Sequence, residues 1–392
     1  MKKVQLKKGR EFSVTARRHP WIFSGALEPT DAGAEMVEVF GADGARLGVG
    51  FHSPASQIRV RMMPEAPIAD LVAASIGRRA SFYADDTVTA IRLVNAENDQ
   101  LPGVVADCYA GWIICQFTSA GAEHFKGKIA AALMRFAPFC RGVCERTDVE
   151  VRGREGLPVG KPGEAFAVLA GEEPPELVEI KEGQCYFLVD VRRGQKTGFY
   201  LDQREARAAV GPLANGADVL NCFSYTGGFG LAARACGALS VTQVDASADA
   251  LALAKKNEAL QHFCGTKMDY VEADVFQYLR RCRDEGRKFD MVILDPPKFA
   301  AAKSQVMKAA RGYKDINLLA MKLLRPNGIL ATFSCSGAIS SDLFDKIVAE
   351  AASDAGRDFQ TIARTRQGAD HPVALSFPDG WYLKGLILRG LG

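Results

Sequence analysis

The sequence has little that would build a metal centre. Its 392 residues include ten cysteines without a Cys-x-x-Cys pair and only five histidines, which argues against a zinc site. Cys115, Cys185 and Cys222 lie in apolar runs and are predicted to be reduced core residues, as in a cytoplasmic protein. The sequence also lacks an uncharged apolar stretch approaching 18 residues and an apolar signal core. It therefore predicts neither secretion nor membrane insertion.

Charge of either sign is not in large excess. The net charge of +3, from 49 basic and 46 acidic residues, is too small to indicate a nucleic-acid partner. Its distribution is more informative, because residues 1–25 are strongly basic with Glu11 as their single acid. Residues 298–314 contain five basic residues and no acid. Such a run forms either a solvated helix face or a track for phosphate groups, and both interpretations stay open.

The chain is long enough for two or three hydrophobic cores and shows no internal repeat. Residues 1–75 are rich in short strands separated by glycine turns, which predicts a small β-barrel. We expect a helix over residues 68–89 to lead into a central α+β domain, residues 76–185. Residues 186–392 form the predicted third domain.

Strands and helices alternate along the third domain. The pattern ends in two consecutive strands, which predicts a doubly wound, Rossmann-like α/β sheet closed by an antiparallel hairpin. The predicted strands lie near residues 218–223, 240–244, 268–272, 289–294, 328–334, 358–365 and 381–389. The predicted helices lie near residues 203–213, 228–237, 247–260, 274–285, 303–324 and 340–355.

One motif of this domain predicts a cofactor site. The apolar run of Val219-Leu-Asn-Cys-Phe-Ser-Tyr-Thr-Gly-Gly-Phe-Gly230 opens onto a glycine turn, and the next strand ends in Asp245. A later strand ends in Asp295 followed by two prolines. Parallel strands present a nucleoside-containing ligand at their carboxyl ends, where an acid can bind ribose hydroxyls. Together these features favour S-adenosylmethionine and group transfer.

Two other interpretations fit the glycines alone. Gly228-x-Gly230-x-x-Ala233 with Asp245 satisfies the loose dinucleotide fingerprint. However, residues 224–226 separate the strand from the first glycine, which widens the turn and suits a ligand without phosphates. The other alternative is a tight strand–helix turn without a ligand.

A cysteine follows the strand next to the one that ends in Asp295. In the string Gly328-Ile-Leu-Ala-Thr-Phe-Ser-Cys335-Ser336, an apolar run ends in Cys335 between two serines. Adjacent strand ends meet at one crevice, so we expect Cys335 to face the target together with Asp295. Methylation at C5 of cytosine requires such a pair, because a thiolate that adds to C6 makes C5 nucleophilic. A carboxylate at the N3/N4 edge would stabilise the developing charge. A buried structural cysteine is the alternative.

Several strings carry a resemblance that covers essentially the whole chain. The chain resembles the bacterial 23S ribosomal RNA large subunit methyltransferase I family of 5-methylcytosine enzymes. Residues 18–25 are similar to the family's opening PUA domain, an RNA-binding barrel, and residues 92–104 to its central domain. The more specific strings are Gly194-Gln-Lys-Thr-Gly-Phe-Tyr-Leu-Asp-Gln-Arg204, Asn221-Cys-Phe-Ser-Tyr-Thr-Gly-Gly-Phe229 and Asp295-Pro-Pro-Lys-Phe299.

The resemblance implies roles for individual residues. Cys335 would be the nucleophile and Asp295 its catalytic partner. The residues expected around S-adenosylmethionine are Phe223, Tyr225, Thr226, Gly227, Asp245, Asp274 and Asp295, with Ser224, Gly228 and Pro296 beside them in the same motifs. The residues expected to bind RNA are Lys298, Lys303, Lys308, Arg311 and Arg18.

One departure from the wider group of RNA cytosine-5 enzymes leaves a step open. Many of them have a second cysteine after Asp-Pro-Pro, where this chain has Lys298, so the sequence does not identify the base that removes the C5 proton. We expect 23S ribosomal RNA as the partner, and a homodimer stays open. The rival functions are methylation of an exocyclic amine and a catalytically silent RNA binder that acts in ribosome assembly.

Overall fold

The computed structural model describes residues 1–137, 139–161, 163–262, 265, 267–300 and 302–391, except the side chain of Lys303. The chain divides into two units. The first comprises Met1–Glu182, Val189–Leu201 and Ala369–Gly380. The second comprises Gly183–Leu188, Asp202–Gly368 and Trp381–Gly392. Within the described part of the chain, no helix is both long enough and apolar enough to cross a membrane.

The first unit begins with a five-stranded sheet in the order β1-β3-β4-β5-β2. Side chains alternate across it, so that Val37 and Val39 are fully buried while their neighbours are partly exposed. The second strand, at Trp21–Phe23, was not predicted from the sequence. The elements are β1 (Lys2–Gln5), α1 (Phe12–Thr15), β2 (Trp21–Phe23), β3 (Met36–Phe40), β4 (Arg46–His52) and β5 (Ile58–Met63).

A second five-stranded sheet follows in the order β10-β9-β8-β7-β6. Strands β8 and β9 are parallel and the other neighbours are antiparallel. The elements are α2 (Ile68–Gly77), α3 (Ala80–Tyr83), β6 (Ala90–Asn95), β7 (Val104–Tyr109), β8 (Trp112–Phe117), α4 (Ala120–His124), α5 (Lys126–Phe136), β9 (Gly142–Arg146), α6 (Val151–Arg154), β10 (Phe166–Gly171) and β11 (Val178–Glu182).

The prediction of one helix over residues 68–89 is wrong. Helix α2 ends at Gly77, and only a short turn of helix, α3, follows it. The chain turns here because the guanidinium of Arg79 enters the core, where its Nη2 lies 2.6 Å from Oδ2 of Asp99. Both side chains are almost completely buried. The periodicity of apolar residues does not reveal a buried ion pair of this kind.

The N-terminal sheet has a hydrophobic cluster of its own and shares a second one with the central sheet. Phe51 of β4 stacks on Phe125 with ring centroids 5.3 Å apart. A Cβ at Gly121 of α4 would lie 2.3 Å from the Cβ of Phe51, so only glycine allows this approach. The barrel and the central sheet are therefore packed together within this unit.

The second unit contains a seven-stranded sheet in the order β15-β14-β13-β16-β17-β19-β18. Five strands are parallel, and β19 is antiparallel to both β17 and β18. The elements are β12 (Cys185–Val189), α7 (Arg204–Val210), β13 (Asp218–Cys222), α8 (Gly228–Ala235), β14 (Ser240–Asp245), α9 (Ala248–Ala259), β15 (Lys267–Glu272), α10 (Val275–Asp284), β16 (Phe289–Leu294), α11 (Val306–Leu323), β17 (Leu324–Ser334), α12 (Ser341–Ala355), β18 (Asp358–Thr365) and β19 (Lys384–Leu391).

This order confirms the predicted doubly wound sheet with an antiparallel end. Both faces are covered: Val292 and Leu294 of β16 join one hydrophobic cluster, while Met291 and Ile293 join another. The last strand starts at Lys384 rather than near residue 381, the start that the sequence predicts. The chain reverses its winding between β13 and β16, and a ligand crevice is expected at the carboxyl ends of strands flanking such a point.

Candidate active site

The loop between β13 and α8 has an unusual backbone. Phe223 and Tyr225 have φ angles of 58° and 47°, and Gly227 has a φ of 88°. Positive φ is uncommon for bulky residues and persists only where the surroundings enforce it. The amide of Ser224 donates to the carbonyl of Val244 at 3.0 Å, which ties the loop to the neighbouring strand β14.

Two buried amide side chains support this loop from beneath. Nδ2 of Asn257 donates to the carbonyl of Thr226 at 3.0 Å. Nε2 of Gln243 contacts the carbonyl of Gly227 at 3.4 Å, and its Oε1 accepts from Asn221 at 2.7 Å. Sequence reasoning missed Gln243 and Asn257. A signal for Gln243 was present, because it is an amide within the apolar strand β14.

Asp245 joins the loop to the end of β14. Its Oδ2 accepts from the amide of Tyr225 at 2.8 Å, and its Oδ1 accepts from the amide of Ser247 at 2.9 Å. The carbonyl of Asp245 accepts from the amide of Ala273 at 3.0 Å, which brings the end of β15 alongside. Asp274 caps α10 through Oδ1, which accepts from the amide of Gln277 at 2.9 Å.

The polar groups of the loop fit a nucleoside ligand. The hydroxyls of Ser224 and Thr226 are buried, and in the part of the chain that the structure describes neither has a hydrogen-bond partner. Buried hydroxyls normally have a hydrogen-bond partner, so a bound ligand would supply the hydrogen bonds that these two lack. Asp245 adds a carboxylate of the kind that binds ribose hydroxyls. The loop itself has no basic side chain that would suit a pyrophosphate.

The two predicted catalytic residues follow neighbouring strands, Asp295 directly after β16 and Cys335 directly after β17. The two strands are parallel neighbours, with Leu294 opposite Thr332. Sγ of Cys335 lies 4.0 Å from the carbonyl oxygen of Pro296. Nε2 of Gln203 donates to Oδ1 of Asp295 at 2.8 Å, which fixes the orientation of this carboxylate. Gln203 belongs to one of the strings that carry the family resemblance, but sequence reasoning gave it no role.

Aromatic and hydroxyl side chains support the end of β17. The hydroxyl of Tyr313 is 3.0 Å from the hydroxyl oxygens of both Ser334 and Ser336, the residues on either side of Cys335. The ring of Tyr313 lies against that of Phe299, with centroids 4.7 Å apart. Tyr313 therefore holds the segment around Cys335 through the residue before it and the residue after it.

Cys335 differs in its surroundings from the core cysteines. Cys115, Cys185 and Cys222 are buried as predicted. Burial raises the pKa of the Cys115 and Cys222 thiols well above the usual value, so they stay protonated. Cys335 is only partly buried, at the mouth of the crevice. Its environment is the more suitable one for a reactive thiol.

The structure places the predicted RNA-binding residues on the surface. Lys298 is exposed immediately after Asp-Pro-Pro, and Lys308 and Arg311 are exposed one turn apart on α11. Lys314 on the same helix instead pairs with two carboxylates. The side chain of Lys303 lies outside the described part of the chain. Arg18 is exposed in the first unit, with a φ of 54°.

The sheet and its loop define a class of protein. Residues 159–372 match the family described as S-adenosylmethionine-dependent methyltransferase, and residues 4–64 match the PUA-like domain. The cofactor is S-adenosylmethionine. Over 398 residues the chain is 47% identical to the ribosomal RNA large subunit methyltransferase I of Shewanella amazonensis, with 99% of each protein covered. The chain belongs to this ribosomal RNA large subunit methyltransferase I family.

Solved structures agree with this assignment at the level of the fold. An S-adenosylmethionine-dependent methyltransferase from Streptococcus mutans has a TM-score of 0.84 and 23% sequence identity, with 99% of this chain and 100% of that chain covered. A methyltransferase solved in complex with SAH gives the same values. The predicted fold class and cofactor are thus confirmed.

Proposed function

We propose that this protein methylates C5 of a cytosine in 23S ribosomal RNA through a covalent adduct with Cys335. The observation that carries the proposal is the position of Cys335. It directly follows β17, the neighbour of the strand that Asp295 follows, and its Sγ lies 4.0 Å from the carbonyl oxygen of Pro296. The ribosomal RNA large subunit methyltransferase I relatives act, by their names, on large-subunit ribosomal RNA. Their names do not specify the atom that is methylated, so the assignment of C5 of cytosine depends on the chemical argument that follows.

C5 of cytosine is a poor nucleophile, so the protein must activate it. Addition of the Cys335 thiolate to C6 makes C5 enamine-like and able to take up a methyl group. Transfer of the C5 proton to a base and release of the thiolate then restore the aromatic ring. S-adenosylmethionine supplies an electrophilic methyl group. Asp295, oriented by Gln203, can accept a hydrogen bond from the N4 amino group of the base and so hold the ring in position for attack at C6. These roles require the base to be unpaired or flipped into the crevice.

The cofactor would occupy the loop after β13 and the adjoining strand ends. Asp245 would bind the ribose hydroxyls, and the hydroxyls of Ser224 and Thr226 would complete the polar contacts. Asp274 would accept a hydrogen bond from the adenine amino group through Oδ2, because its Oδ1 caps α10. The remaining predicted contacts are Phe223, Tyr225, Gly227, Gly228, Asp295 and Pro296.

RNA would contact basic residues in both units. Lys298, Lys308 and Arg311, with Lys303, would bind phosphates near the crevice. Arg18 would contribute from the PUA-like domain. Boundaries near residues 75 and 185 remain our proposal for the three domains.

Replacement of Cys335 tests this function. Cys335→Ala should abolish methyl transfer while cofactor affinity and thermal stability stay close to wild type, because the thiol would contact the base. RNA with 5-fluorocytosine at the target should trap a denaturation-resistant complex, since fluorine cannot leave as a proton does. Cys236→Ala, which changes another partly buried cysteine of the same unit, should still form the adduct.

The same experiment distinguishes the rival functions. Methylation by Cys335→Ala at a rate comparable to wild type would rule out the thiol mechanism. Nucleoside mass spectrometry of the product would then separate an exocyclic N-methyl group from 5-methylcytosine. No methyl transfer by the wild-type protein to protein-free RNA or to assembly particles would leave RNA binding as its role.

A further inference from the structure

A lysine from the last strand reaches the segment that carries Cys335. Lys384 begins β19 and lies opposite Ser334 in the register of β17. Its Nζ donates to the carbonyl of Ser336 at 2.8 Å and to the carbonyl of Ile339 at 2.6 Å. Both carbonyls belong to the turn immediately after Cys335. The lysine therefore fixes the turn on which the thiol sits.

The ammonium group of Lys384 is not neutralised by a carboxylate within the part of the chain that the structure describes. An ammonium has three N–H donors, and the two carbonyls use two of them. One donor remains, and the side chain is partly buried. Cys335 and Lys298 act electrostatically on Lys384, and the hydroxyl of Tyr313 bonds to the serines on either side of Cys335.

Electrostatics connect the lysine to the thiol. Burial lowers the pKa of Lys384 to about 8, the Cys335 thiolate opposes this by raising it, and Lys298 lowers it further. Interaction between two titrating groups is mutual: a thiolate that favours the ammonium is favoured by the ammonium in return. An ordinary cysteine, with a pKa of about 8.5, is mostly protonated at neutral pH. A neighbouring cation increases the fraction that is ionised.

We propose that Lys384 is the positioning residue that holds Cys335 ready as a thiolate, through its charge and through the turn that it fixes. The S–H bond breaks and the proton goes to solvent, while Lys384 keeps its own proton and balances the negative sulfur. The thiolate then provides the electron pair for the bond to C6. The consequence for catalysis rests on the proposed function, whereas the effect on the thiol does not.

Alkylation of Cys335 by iodoacetamide, followed by peptide mass spectrometry as a function of pH, tests the proposal without any RNA. In Lys384→Met the midpoint of alkylation should move to higher pH. The rate near neutral pH should fall about tenfold, since an opposite charge at close range shifts a pKa by about one unit or more. Lys384→Arg keeps the positive charge and should stay close to wild type. Lys346→Met removes an exposed lysine of α12 and serves as the matched control.

Three outcomes would count against the role proposed for Lys384 or against the proposed function. An unchanged midpoint in Lys384→Met, with circular dichroism and cofactor affinity intact, overturns the proposal. Equal slowing in the Met and Arg variants also overturns it, because it shows a role in the turn alone. If the Met variant does not fold, Lys384→Gln, which can still donate to a carbonyl, replaces it. A shifted thiol combined with full activity of Cys335→Ala would defeat the proposed function and leave the Lys384–Cys335 coupling standing.

Discussion

The amide of Tyr225 donates to Oδ2 of Asp245 at 2.8 Å, and this bond joins the ends of β13 and β14. Tyr225 has a φ of 47°, a conformation that a tyrosine rarely adopts without external support. Asp245 therefore holds the loop in place in addition to its proposed contact with the ribose. Loss of its carboxylate should weaken cofactor binding in two ways. It removes the proposed hydrogen bonds to the ribose, and it removes the bond that holds the loop at Tyr225.

Asp245→Ala should weaken S-adenosylmethionine binding by about 1–3 kcal/mol, the usual cost of losing a hydrogen bond to a charged group. Isothermal titration calorimetry measures the change. Asp249→Ala, four residues further along in the first turn of α9, is the matched control and should bind normally. Unaltered affinity in a folded Asp245→Ala protein would refute the placement of the cofactor, and tight NAD binding would favour an oxidoreductase.

Gly230→Ala should destabilise the second unit by about 1–3 kcal/mol, the typical cost of overpacking. A Cβ at this position would lie 2.2 Å from Nε2 of Gln243, which is fully buried and bonded to Asn221 and so cannot move aside. Thermal denaturation should show a lower Tm, and affinity for the cofactor should fall as the loop shifts.

Gly127→Ala provides the contrast. Gly127 lies in α5, and a Cβ there would meet nothing within 4 Å. Because alanine favours helix more than glycine does, the Tm should stay the same or rise slightly. Equal destabilisation by the two substitutions would show that steric contact with Gln243 is not the cause.

Simultaneous Lys308→Ala and Arg311→Ala should reduce the slope of log affinity for RNA against log salt concentration. The expected change is about 0.7–0.9 for each phosphate that the protein no longer neutralises. Lys314→Ala on the same helix is the control, because its ammonium already pairs with Glu350 and Asp354. A salt slope that does not change in the double variant would assign this face of α11 to solvent.

Asp99→Asn should destabilise the first unit by about 3–5 kcal/mol at neutral pH, because it leaves a buried guanidinium without its partner. Burial raises the pKa of Asp99, but the hydrogen bonds and charge of Arg79 outweigh burial and lower it overall. A lowered carboxyl pKa gives stability that is present above the unfolded-state value of about 3.9 and is lost as the pH falls through the folded-state value.

The difference between wild type and Asp99→Asn should therefore shrink in acid, and urea titrations at several pH values measure it. Asp31→Asn is the control, because both side chains of its pair with Lys2 are exposed to solvent and the pair should contribute less than about 1 kcal/mol. A difference that does not change with pH would contradict the role assigned to the Asp99 charge.

Much of the fold could be predicted from sequence, because the inner strands contain continuous apolar runs, such as residues 291–294 of β16, that turn residues follow. The glycine loop after β13 was also predictable, since its glycines and the following acid occur at short spacing. The end of helix α2 at Gly77 was not predictable, because the chain there turns to place Arg79 in an ion pair with Asp99. Such a pairing is set by tertiary packing and leaves no periodic signal.

The residues that support the candidate site could not be predicted from the sequence for a similar reason. Gln203 meets Asp295 from 92 positions away in the chain. Lys384 approaches the residues after Cys335 only because β19 pairs with β17 in one particular register. A shift of one residue would turn its side chain to the opposite face of the sheet. Neither the strand pairing nor its register can be read from local pattern.

The position of β19 between β17 and β18 has a consequence for the timing of synthesis. Of the seven strands of this sheet, β19 is the last to leave the ribosome, yet it fills an interior place. Until it emerges, one edge of β17 stays without its partner, and the thiol of Cys335 lies beside an unfinished turn. A nascent chain that does not yet include β19 therefore cannot form a complete sheet, and the turn after Cys335 still lacks the bonds that Lys384 donates to it.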